Sequence, residues 1–97
     1  MGMAQAYEWM ASEFEESLLT MDEKGLLDNV VKDAVFAHPT ARTTICVVTF
    51  NHDFEVYGVA KCRDMKDSDM VLGNTYALKH ALKNVSKALI KLQSPAR

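Results

Sequence analysis

Apolar residues at Met3, Tyr7, Met10, Phe14, Leu18 and Met21 recur every three or four positions, and this spacing predicts a helix from about Ala4 to Leu19. Glu8, Glu13, Glu15 and Glu16 fall mostly on the opposite side, and Trp9 lies off the stripe between Glu13 and Glu16. Thr20-Met21-Asp22-Glu23 then has the spacing of a capping box, in which a hydroxyl and a carboxylate each accept from the other residue's amide. A second helix is expected to start there, with Leu26, Leu27, Val30, Val31, Ala34 and Val35 as its apolar face. Pro39 stops it, because the residue before a proline is pushed out of the helical region.

The pattern changes at Thr43. Thr43–Phe50 and Phe54–Lys61 are rich in β-branched and aromatic residues, and they flank Asn51-His52-Asp53 as two strands of a hairpin. With His52-Asp53 as the turn, Thr49 faces Val56, Val47 faces Gly58 and Ile45 faces Ala60, and this side is expected to be the core. The other side presents Cys46, Val48, Phe50, Tyr57 and Val59, which is too apolar for open solvent. Gly58 leaves room for a helix to approach the sheet. That helix is expected from about Asp69 to Leu92, with Leu78, Ala81, Leu82, Val85, Ala88, Leu89 and Leu92 on its buried side. Gly73, Ala77 and Ala81 give it a stripe of small residues for close packing.

The expected fold is therefore one α+β domain over 1–97, of order α-α-β-β-α. N-terminal helices occupy 1–40, the hairpin 43–62 and the C-terminal helix 69–92, with the hairpin packed on the last helix. A two-stranded sheet is marginal alone and leaves both edges open, so a homo-oligomer is expected, most simply a two-fold dimer. The surfaces expected to be buried in it are Val48, Phe50, Tyr57 and Val59 on the sheet, and Trp9 and Met10 on the first helix.

Composition adds limits. The 97 residues are 48% apolar and 25% charged, which is ordinary for a folded domain. No apolar run approaches the roughly 20 residues of a membrane span, so no membrane association is expected. The start lacks the basic and apolar regions of a secretory signal, and with two cysteines a reducing cytoplasm is expected. The net charge of −2 hides a polarity: residues 1–39 carry eight acids and two bases, whereas residues 74–97 carry five bases and no acid. Lys79, Lys83, Lys87 and Lys91 recur every four residues as one basic ridge. Each can contact a phosphate, although no aromatic residue interleaves with them to stack bases.

Candidate chemistry is sparse. Cys46, Cys62, His38, His52 and His80 show no short metal-binding spacing, so no metal is expected. Asp64, Asp67 and Asp69 lack the glycine and glutamate of a calcium loop and read instead as acids at a helix N-terminus. The four glycines are scattered and form no phosphate loop. No catalytic residue and no cofactor is implied, and an enzyme is not expected.

Thr44-Ile45-Cys46-Val47-Val48-Thr49-Phe50, Phe54-Glu55-Val56-Tyr57-Gly58, Cys62-Arg63-Asp64, Asp69, Leu72-Gly73, Ala77 and Ala81 fall in one ungapped register. Over about residues 43–92 this resembles a family of small tailed-phage and prophage proteins labelled by gene products forty-nine and sixty-six. His52-Asp53 stands where that family usually has Asn-Gly, Met65 where proline is common, and Ser68 where an aromatic residue is common. The resemblance implies a phage or prophage origin and an accessory role in the host cytoplasm. The expected function is non-catalytic: binding and modulating or inhibiting a host macromolecule, such as a defence protein. The alternative is nucleic-acid binding through the lysine ridge.

Overall fold

The computed structural model describes residues 13–50, 54–61 and 70–93. A 3-10 turn at Glu16–Leu18 leads into helix α1, Met21–Asn29. Three strands follow, β1 at Val31–Thr40, β2 at Thr43–Phe50 and β3 at Phe54–Lys61, and helix α2 at Met70–Gln93 closes the fold. The strands form one antiparallel sheet of order β1-β2-β3. The architecture is α+β, with the sheet packed on the C-terminal helix.

Local chemistry sets the first boundary. Thr20 caps α1 through its hydroxyl, which accepts from the Glu23 amide at 3.1 Å, while the Glu23 carboxylate accepts from the Thr20 amide at 2.8 Å. The capping box is complete.

Upstream of it, the expected helix through Leu19 is corrected. Glu15 and Leu19 are extended, and only a 3-10 turn separates them. The reason is what the core accepts. Phe14 and Leu19 are both buried, yet five residues apart they would stand about 140° apart on an α-helix. Leu18 and Met21, expected on the buried stripe, are 39% and 82% exposed. Residues 1–12, with the remainder of that expected helix, lie outside the described residues.

The second correction concerns residues 31–40, which form β1 rather than the end of a helix. Val31 pairs with Phe50 and Asp33 with Thr49, so one extra residue is inserted into β1. This bulge lets Val31 and Ala34, three apart, both face the core, which imitates a helical period. Pro39 sits beside a second irregularity, between Ala37 and Thr40, on an edge strand where proline is tolerated.

The third correction is a register shift of one residue in the hairpin. Phe50 pairs with Phe54, Val48 with Val56, Cys46 with Gly58 and Thr44 with Ala60. The connection is therefore three residues, 51–53, instead of a two-residue turn, and a slip of one turns a whole strand over. Thr44, Cys46, Val48 and Phe50 are buried, whereas Ile45 and Val47 lie on the open side.

Helix α2 seats Ala77, Leu78, Ala81, Leu82 and Val85 in the core. As expected, Gly58 is the point of close approach: a Cβ there would land among the backbone atoms of Ala77, His80 and Ala81.

Candidate functional site

Among the described residues, the second face of the sheet carries exposed apolar side chains. On the three strands, Val35, Val47 and Tyr57 align as one row across the sheet, and Ala37, Ile45 and Val59 align as the next. Val35 is 55% exposed and Tyr57 63% exposed. The row beyond the first is Asp33, Thr49 and Glu55, and the row beyond the second ends in Thr43 and Lys61. The face is thus an apolar centre with acids at one end and a base at the other. Arg42, exposed in the turn between β1 and β2, stands at the basic end.

Of the residues expected at an interface, Tyr57 and Val59 lie on this open face. Val48 and Phe50 do not. Both are fully buried beneath α2, because the register shift turned their strand over, and their place is the core of the single chain. Trp9 and Met10 lie outside the described residues. Val35, Ile45 and Val47 were missed as surface residues. Val35 had been absorbed into a helical period, and a three-residue hairpin loop would have placed Ile45 and Val47 outward.

Both edges of the sheet are obstructed. On β3, the Asn84 amide donates to the Tyr57 carbonyl at 2.7 Å. His80 Nδ1 lies 3.0 Å from the Val59 nitrogen and 3.2 Å from its oxygen, so either tautomer satisfies one of these groups. On β1, the two irregularities and Pro39 leave only Asp33–Ala37 as a regular run. Both arrangements discourage another strand from adding to the sheet.

The lysine ridge divides. Lys79 is partly buried and donates to Glu23 at 2.8 Å and to the Leu18 carbonyl at 3.0 Å, which ties α2 to α1. Burial of Glu23 raises its carboxyl pKa, but the hydrogen bonds from Lys79 and Thr20 and the Lys79 charge outweigh this and hold it below the usual value. Lys83, Lys87 and Lys91 are exposed. On the same outward side of α2 stand Leu72, Tyr76 and Ile90, the last two 52% and 64% exposed. Between α1 and α2 runs an open groove of about 470 Å³, floored by Leu26 and Leu82 and rimmed by Asp22, Glu23, Lys79, His80 and Lys83. Of these, Glu23 and Lys79 already neutralise one another.

Cys46 is buried, and burial pushes its thiol up to about 12, so it offers no thiolate at neutral pH. Cys62 and His52 lie outside the described residues. Among the described residues, no three His, Cys, Asp or Glu side chains converge as a metal site. No described helix is long and apolar enough to cross a membrane. No family model, curated protein or solved structure matches the chain.

Proposed function

We propose that the chain is a non-catalytic binding protein, a phage- or prophage-encoded accessory factor that engages and modulates a host macromolecule in the host cytoplasm and acts as a homo-oligomer. The observation that supports host binding is the outward side of α2, where Leu72, Tyr76 and Ile90 are exposed beside Lys83 and Lys87. Exposed aromatic and aliphatic residues next to cations have the make-up of a protein-binding patch. The phage assignment rests on the resemblance of residues 43–92, and the oligomer on the open apolar sheet face.

A second reading, nucleic-acid binding, is favoured by the exposure of Lys83, Lys87 and Lys91 at steps of about 6 Å along the helix. One experiment separates the two. The tagged chain is used to capture partners from bacterial lysate with and without nuclease, beside a Tyr76→Glu/Ile90→Glu variant. A protein retained after nuclease and lost with the variant is the expected result. Retention that vanishes with nuclease, and with Lys83→Glu/Lys87→Glu, assigns the surface to nucleic acid. Capture of nothing by the wild type refutes both.

A further inference from the structure

We infer that the open face of the sheet is the dimer interface, and that it binds a second copy of this chain with the strands of the two sheets running antiparallel across the contact. The inference rests on the homo-oligomer reading above, which already names this face, and adds to it the symmetry and orientation of the contact. Edge-to-edge pairing is obstructed on β3 by His80 and Asn84 and on β1 by its irregularities, so the face remains.

Charge selects the partner and its orientation. A two-fold axis lying along the strands would set the Asp33 and Glu55 end against the same acids of the other copy. An axis lying across the strands keeps β3 over β3 and reverses its direction. Glu55 then meets Lys61 of the second copy, and Lys61 meets that copy's Glu55. At the β1 side Asp33 approaches the end that carries Arg42. The two apolar rows fall on each other in the centre, Val35, Val47 and Tyr57 against Ala37, Ile45 and Val59. A single chain therefore carries a surface complementary to itself in polarity and in charge.

The area is consistent with a reversible dimer. Strands of ten, eight and eight residues give a shared face of roughly 25 by 14 Å, and two such faces bury on the order of 1,000 Å² in total. That is the low end for a specific interface, in the size class of weak and transient contacts.

Sedimentation equilibrium from about 1 to 100 µM tests the inference, a range suited to the weak association that a small interface allows. The wild type is expected to pass from monomer to dimer, and Tyr57→Glu to remain monomeric with an unchanged circular dichroism spectrum. Glu55→Lys and Lys61→Glu are each expected to weaken the dimer about tenfold or more, because each places like charges together twice. The double variant Glu55→Lys/Lys61→Glu restores opposite charges and is expected to recover wild-type association. Tightening by Glu55→Lys alone would indicate the other two-fold and overturn the orientation. A dimer that persists in Tyr57→Glu overturns the assigned face but leaves the homo-oligomer reading intact. A wild type that stays monomeric throughout overturns both, and a loss of stability in monomeric Tyr57→Glu would then assign the face to another part of the same chain. Partner capture through α2 is read separately and is unaffected by these outcomes.

Discussion

Two glycines make opposite demands at the scale of a single residue. Gly58 is covered by the backbone of α2, so an added methyl has no flexible side chain to displace and must move the helix. Gly58→Ala is expected to destabilise the protein by about 3 kcal/mol, the upper range for overpacking, measured by urea denaturation. Gly25 lies inside α1 with nothing within 4 Å of where a Cβ would stand. There the only consequence of a methyl is a smaller loss of backbone freedom on folding, and Gly25→Ala is expected to stabilise by about 0.5–1 kcal/mol in the same assay. Neither outcome follows from the residue type. Surroundings decide the sign.

Elements were legible in the chain where their determinants were local. The Thr20–Glu23 capping box depends on residues three apart, and α2 depends on a long unbroken period, so both were readable. The end of α1 was not, because the bulge at Val31/Asp33 gives a strand the spacing of a helix. The hairpin strands were readable but their facing was not, since one residue of loop length inverts β2. The face inference inherits that dependence: Val47 belongs to the open side and Val48 to the core. A matched pair of substitutions checks this directly. Val48→Thr buries a hydroxyl among apolar groups and is expected to cost about 2 kcal/mol, whereas Val47→Thr is expected to cost about 0.5 kcal/mol or less. Between elements, the Glu23–Lys79 pair joins α1 to α2. The Glu23 carboxyl titrates lower in the folded chain than in the unfolded one. Its contribution is thus full above the unfolded value of about 4.3 and is lost as pH falls through the folded value. Glu23→Gln is expected to lower stability at pH 7, and the gap from wild type is expected to close under acid in pH-dependent melting curves.

For the molecule as a whole, the charge polarity of the sequence yields one direct ion pair among the described residues, Glu23–Lys79. Among the described residues the one basic-ridge lysine that meets an acid is Lys79, and Lys83 and Lys87 point outward. What binds the start of the described chain to α2 is a hydrogen-bonded clasp. The Glu15 amide donates to the Thr75 hydroxyl at 2.7 Å, and that hydroxyl donates to the Val71 carbonyl. The Asn74 amide donates to the Glu13 carbonyl, and Asn74 Oδ1 lies 2.8 Å from His38 Nε2 on β1. These bonds to residues 13 and 15 span 61 and 60 positions of sequence and, with the Lys79–Leu18 bond, are among the longest-range hydrogen bonds of the described residues. The clasp is therefore expected to close late in folding, with Phe14 drawn in as a latch after the sheet and α2 have assembled. Phe14→Ala and Thr75→Val should leave the refolding arm of a chevron plot almost unmoved. Each should speed the unfolding arm, roughly tenfold for every 1.4 kcal/mol of stability removed. Equal slowing of refolding would instead put the latch in the nucleus. If the latch closes last, residues 13–15 govern the lifetime of the native state more than its speed of formation.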